Sequence, residues 1–115
     1  MQIRFDNKVV IVTGAGSGLG RSYAIALASR GAKVLINDLG SSLDGSGRSV
    51  NIASNVAKEI VESGGEAIAD NSDVTDKKSV DNMIKKVLSA WGRVDVLVNN
   101  AGILRDKSFS KITIE

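Results

Sequence analysis

The chain is predicted to be an α/β protein, a doubly wound parallel sheet carrying helices on both faces. Three observations predict this. Apolar, β-branched runs alternate with segments of helical periodicity along the 115 residues. A glycine-rich turn, Thr13 to Gly20, joins the first such run to the first such segment. The second run ends on an acidic residue, Asp38. Parallel neighbours need crossover connections and crossovers are right-handed, so regular alternation of this kind specifies a parallel sheet between helical layers.

Each element has its own justification. Lys8-Val9-Val10-Ile11-Val12-Thr13 is continuously apolar at its centre, as a strand covered on both faces must be. After the glycine turn, Leu19, Tyr23, Ala26, Leu27 and Arg30 recur at helical spacing, which assigns them, Tyr23 included, to the core-facing stripe of a first helix stopped by Gly31. Lys33-Val34-Leu35-Ile36-Asn37-Asp38 repeats the buried-strand pattern and completes a βαβ unit. Leu39 to Ser49 is rich in Gly and Ser and lacks periodicity, so a mobile surface loop is expected there. Ile52, Val56 and Ile60, flanked by Ala53, Ala57 and Val61, form the stripe of a second helix closing at Gly64-Gly65. Glu66 to Ala69 is a short third strand, followed by a polar turn over Asp70-Asn71-Ser72-Asp73.

The third helix has the strongest periodicity: Val80, Met83, Ile84, Val87, Leu88 and Trp91 hold one face, and Gly92 ends it. Lys77, Lys78, Lys85 and Lys86 fall mostly off that stripe, as a solvated face does. Val94 to Asn99 is a fourth buried strand. From Asn100 the chain runs irregularly to Glu115, with Thr113 resembling a helix N-cap. The expected strand order is 3-2-1-4, which places the glycine turn where the order reverses, the point at which such sheets bind ligands.

Composition narrows the chemistry. Hydrophobic residues are 43% and charged residues 24%, an ordinary globular balance, and with 3% aromatics stacking on nucleic-acid bases is not expected. The net charge of +2 comes from 15 basic residues scattered among 13 acidic ones, so no polyanion-binding patch is expected. There is no cysteine for a thiolate metal site or disulfide, and no histidine, the commonest general base. No run approaches the roughly 18 apolar residues of a membrane span, and the N-terminus lacks a signal-peptide core. A soluble, cytoplasmic protein without nucleic-acid or membrane partners is expected.

The glycine turn suits a phosphate. A helix N-terminus offers backbone N–H groups and a positive field, and glycine removes the Cβ that would hold the anion away. An ordinary glycine-rich connection would read similarly, so spacing and context must decide. The G-x-G-x-x-G pattern is not met, because Leu19 or Arg21 stands at its third glycine. What fits is T-G-x-x-x-G-x-G through Thr13, Gly14, Gly18 and Gly20. No Gly-Lys-Ser/Thr follows, which excludes a P-loop.

That variant, with Asp73-Val74 after the third strand and Asn99-Asn100-Ala101-Gly102 after the fourth, resembles the short-chain dehydrogenase/reductase family. The resemblance spans residues 1–115 and implies the NAD-binding Rossmann portion, the N-terminal part of a longer, here truncated, enzyme. Ile36-Asn37-Asp38-Leu39-Gly40 and Gly102-Ile103-Leu104-Arg105-Asp106-Lys107-Ser108-Phe109 further resemble the (3R)-hydroxyacyl-CoA dehydrogenase units of multifunctional enzymes of type 2. Such a unit implies NAD-dependent oxidation of a 3-hydroxyacyl-CoA in fatty-acid oxidation, a homo-oligomer, and the peroxisomal matrix as an alternative compartment.

The resemblance also assigns roles. Gly14, Ser17, Gly18 and Gly20 would form the pyrophosphate cradle, with Leu19 on the path to the nicotinamide. Asp38, eighteen residues beyond Gly20, would accept hydrogen bonds from the adenosine ribose and repel a 2′-phosphate, favouring NAD over NADP. Neither Ser17 nor Leu39 supplies a basic residue for such a phosphate. Asp73 and Val74 would flank the adenine, although Asp73 could equally serve its own turn. Asn99, Ala101 and Gly102 would lie near the nicotinamide ribose.

Catalysis in the family needs a tyrosine with a lysine four residues later and a serine, and no such set is found. The sole tyrosine, Tyr23, has Leu27 at that spacing, and Ser108 and Ser110 fall too early. No catalytic residue or metal ligand is assigned, and the chain alone is expected to be inactive. A non-catalytic dinucleotide-binding module stays open as the alternative reading.

Overall fold

The computed structural model describes residues 4–16, 18–39, 41–43 and 49–100. Strand β1 (Val9–Thr13) is buried throughout and sits centrally, with β2 (Lys33–Asn37) on one side and β6 (Val96–Val98) on the other. Strand β5 (Glu66–Asp70) pairs with the far side of β2. All three pairings are parallel, in the order β5-β2-β1-β6. Among the four predicted strands this is 3-2-1-4.

Side-chain alternation along β1 builds a core on each face. Val10 and Val12 join Ala24 and Ala28 of α1 (Gly18–Ser29) and Val56 and Ile60 of α2 (Ile52–Glu62). Val9 and Ile11 join Val80, Met83 and Val87 of α3 (Lys77–Trp91) on the opposite face. A strand buried on both faces has no polar side to spare, which is why these runs are continuous rather than alternating. Caps set the helix limits. The Asn51 side chain accepts the Ser54 N–H at 3.0 Å, and Asp76 does the same for Ser79 at the start of α3. Gly92 ends α3 in the left-handed conformation, φ 74°.

Three expectations need correction. First, the predicted loop over Leu39 to Ser49 contains β3 (Ser41–Leu43), which pairs antiparallel with β4 (Ser49–Asn51). Each strand has three residues, too few for any period to show.

Second, α1 is rotated relative to its predicted stripe. Its buried residues are Gly20, Ala24 and Ala28, whereas Leu19 and Tyr23 are 65% and 43% exposed and Ala26 is exposed as well. Small residues at i, i+4 and i+8 let the helix approach the sheet closely, and that contact outweighs burial of the bulkier side chains. Tyr23 is therefore not a core residue.

Third, the fourth strand is shorter than Val94–Asn99. The Asp95 N–H still donates to the Val9 carbonyl at 2.8 Å, but the Val9 N–H goes to the Asp95 carboxylate, also at 2.8 Å, instead of to main chain. Hydrogen bonds from Arg93, and then the one from Val9, hold the Asp95 carboxyl below the ordinary aspartate range. No described helix is long and apolar enough to cross a membrane.

Candidate functional site

The C-terminal ends of β1, β2, β5 and β6 open into one cleft of about 500 Å³. Gly14, Gly18 and Leu19 form one wall, Asp38 and Leu39 the rim beyond β2, and Ser72, Asp73 and Val74 the opposite wall. Asn100 closes the β6 end. A second cavity, of about 330 Å³, lies at the other end of the sheet between the C-termini of α1 and α2. It is remote from the strand ends at which open α/β sheets bind ligands.

The glycines differ in what they provide. Gly14 and Gly18 adopt φ 62° and 60°, a left-handed conformation costly for a side chain with Cβ. Gly18 faces open space, so its lack of Cβ leaves the start of α1 approachable. Gly20 meets a different need: a Cβ there would run into the Gly14 carbonyl and 2.7 Å from Asn100 Nδ2. Gly16, an unspecified position in the motif, is also constrained, since its Cβ would lie 2.7 Å from Asp38 Oδ2 and against Ile52.

Asp38 is partly buried and accepts the Gly16 N–H at Oδ2, 2.8 Å away. This bond ties the acidic residue to the glycine turn before any ligand is considered. The Asp38 carbonyl accepts Asn71 Nδ2 at 3.0 Å, and the Asn71 amide also meets Asn51, the cap of α2. Asp73 serves its own turn: Oδ1 accepts the Thr75 hydroxyl at 2.6 Å and the Thr75 N–H at 2.9 Å. Those two bonds, the hydroxyl first, lower its pKa from the ordinary value. Val74 is buried against the α3 side of the sheet and holds the wall in place.

At the β6 end, buried Thr13 joins two strand ends. Its hydroxyl accepts the Asn100 N–H at 3.0 Å and points to Asn99 Oδ1 at 3.3 Å, while Asn100 Nδ2 reaches the Gly14 carbonyl at 3.4 Å. Ser17, Ala101 and Gly102, also expected at the site, lie outside the described residues. The structure thus brings Gly14, Gly18, Leu19, Asp38, Asp73 and Val74 to one cleft, with Gly20 and Asn99 supporting it from behind. Sequence reasoning missed Asn37, Asp70, Asn71 and Asn100 as parts of the site. Asn37 follows an apolar run and Asn100 lies in the Asn99-Asn100-Ala101-Gly102 motif, signals that could have marked them. Among the described residues no acidic cluster could hold a metal ion.

Strand order, a glycine turn at the reversal and an acidic residue after β2 define a Rossmann-type α/β protein. Comparison with known proteins narrows the class. The short chain dehydrogenase family model matches residues 8–115, and the chain belongs to that family. It is 50% identical over 98% of its length to the peroxisomal multifunctional enzyme type 2 of Mus musculus, covering 15% of that protein. It is 50% identical over 96% of its length to the peroxisomal hydratase-dehydrogenase-epimerase of Saccharomyces cerevisiae, covering 12% of it. The chain therefore spans a small part of these relatives. Among solved structures, a 7α-hydroxysteroid dehydrogenase complexed with NADH and 7-oxo glycochenodeoxycholic acid superimposes with TM-score 0.73 at 35% identity. That match covers 84% of this chain and 34% of that one.

Proposed function

We propose that this chain holds NAD as the cofactor-binding part of a dehydrogenase acting on a small-molecule alcohol, with a 3-hydroxyacyl-CoA as substrate. The observation that carries the reading is the Asp38–Gly16 bond, which poises a carboxylate over the glycine turn at the sheet's switch point. The cleft fits a dinucleotide on its own terms. Gly14 and Gly18 occupy left-handed conformations at a helix start, and the space beside Gly18 is open, as a pyrophosphate against backbone N–H groups requires. Asp38 would accept the adenosine ribose hydroxyls, and Asp73 and Val74 would border the adenine. Gly20 keeps α1 close to the Gly14 turn. Ser17, Asn99, Ala101 and Gly102 would complete the cradle and the nicotinamide end.

NAD, when bound, supplies a hydride acceptor. The chain's own residues bind and orient it; the proton relay is not assigned to any of them, since Tyr23 is 43% exposed on α1 with Leu27 four residues on. That same observation is what favours the second reading, a dinucleotide-binding module without chemistry of its own. The NADH complex of the 7α-hydroxysteroid dehydrogenase supports a nicotinamide cofactor. The relatives' names support the peroxisomal matrix over the cytoplasm. A homo-oligomeric parent enzyme is part of the proposal.

The cofactor assignment is tested by Asp38→Ala. Removing the carboxylate removes both the ribose acceptor and the repulsion of a 2′-phosphate, so the ratio of NAD to NADP affinity should fall about tenfold or more toward unity. Calorimetric titration measures it, and an unchanged ratio would sink the ribose role.

A further inference from the structure

The cleft floor, where Asn37 and Ser72 line it, holds a polar bridge that none of the cofactor contacts above uses. Asn37 ends β2 and stands in register with Asp70 at the end of β5. Both are buried, 2% and 7% exposed, following the apolar centres 34–36 of β2 and 67–69 of β5. A buried amide and carboxylate are costly unless their hydrogen bonds are made, and an apolar pair would close parallel strands at less expense. Here the bonds are made in a fixed direction. Asn37 Nδ2 donates to Asp70 Oδ2 at 2.9 Å and to the Ser72 carbonyl at 3.1 Å. Asp70 returns bonds to the same loop, Oδ2 accepting the Ser72 N–H at 2.9 Å and Oδ1 the Ser72 hydroxyl at 3.0 Å. Lys86 of α3 faces Asp70 Oδ1 at 4.0 Å and donates to the Ala69 carbonyl.

The main chain of the same two residues reaches the other cleft walls. The Asn37 carbonyl accepts the Ala15 N–H at 2.9 Å, within the glycine turn, and the Asp70 carbonyl accepts the Asp38 N–H at 3.0 Å. Glycine turn, acidic residue and the loop carrying Asp73 and Val74 therefore meet at one bridge. We infer that Asn37, with Asp70 as its counterpart, is a positioning residue that sets the spacing between Asp38 and the Asp73–Val74 wall for the adenosine end of a nucleotide. This rests on the nucleotide reading of the cleft given above.

The test is calorimetric titration of the chain and its variants with NAD and with ADP, which lacks the nicotinamide half. Asn37→Asp removes the donor that both Asp70 and the Ser72 carbonyl use, and affinity for both ligands should fall by the same factor, about tenfold. Asp70→Asn keeps an oxygen for Asn37 and should stay within about twofold of the parent. The combination Asn37→Asp with Asp70→Asn restores a donor opposite an acceptor and should bind more tightly than Asn37→Asp alone.

Where Asn37→Asp fails to fold, Lys86→Met carries the test: this half-exposed residue donates to the Ala69 carbonyl beside Asp70, and its loss should weaken ADP about threefold with an unchanged far-UV spectrum. ADP affinity unchanged in a folded Asn37→Asp variant, a loss confined to NAD, or a reversed pair no better than the single variant would each overturn the inference. So would a folded Lys86→Met chain that binds ADP as the parent does. A parent chain that binds neither NAD nor ADP would instead defeat the cofactor reading, and this inference with it.

Discussion

Gly18 and Gly20 stand two residues apart in one turn and are glycines for different reasons. At Gly18 the constraint is conformation alone: φ is 60° and nothing lies within contact of a Cβ. At Gly20 the constraint is space, because the obstacle is the Gly14 carbonyl, a backbone atom that cannot swing aside. Substituting alanine at Gly18 should cost about 1–2 kcal/mol, and asparagine, which tolerates left-handed backbone, should recover most of that. At Gly20 alanine should cost about 1–3 kcal/mol, and asparagine should be worse, not better. Thermal denaturation of the four variants decides the matter; asparagine rescue at both positions, or at neither, would contradict the distinction. Gly16 differs from both, since the atoms crowding a Cβ there belong to the Asp38 and Ile52 side chains, which can shift where the Gly14 carbonyl cannot.

Among the elements, α1 is where sequence and structure diverge most. The face it buries is Gly20, Ala24 and Ala28, and Ala24 is fully inaccessible. Ala24→Leu should overpack this contact and destabilise by about 1–3 kcal/mol, while Tyr23→Ala should change stability by no more than about 0.5 kcal/mol. Denaturant unfolding measures both, and the reverse ranking would restore the predicted stripe. That stripe misled because hydrophobic periodicity weighs bulk, whereas helix–sheet proximity here rewards small size.

Elsewhere the pattern was informative. Long periodic segments such as the Val80–Met83–Val87 face of α3, and continuous runs such as Val9–Val12, located both cores and the strand order. The β3–β4 ribbon was not legible because main-chain pairing, rather than an apolar pattern, defines so short an element. Among the cleft residues, the glycine turn and Asp38 were legible because one residue type at one spacing marks each of them. Asn37, Asp70 and Asn71 were not, since their role is to bond one another across strand ends that lie far apart in sequence.

At the scale of the molecule, the sheet gathers four strand ends at one edge and leaves β6 paired, among the described residues, with β1 alone. Val96 on β6 is 39% exposed, and an apolar strand edge invites pairing. The 115-residue chain by itself is expected to self-associate, and Val96→Lys to reduce that association. Sedimentation showing a stable monomer across a wide concentration range would contradict it. The central claim concerns the C-terminal ends of the strands, where the glycine turn, Asp38 and the Asp73–Val74 wall converge on a cleft read as an NAD site. Its most direct measurement is calorimetric titration of the unmodified chain with NAD and with NADP. Saturable binding of NAD at one site per chain is expected, with affinity for NADP weaker by about tenfold or more. Saturation by neither nucleotide, or equal affinity for the two, would contradict it.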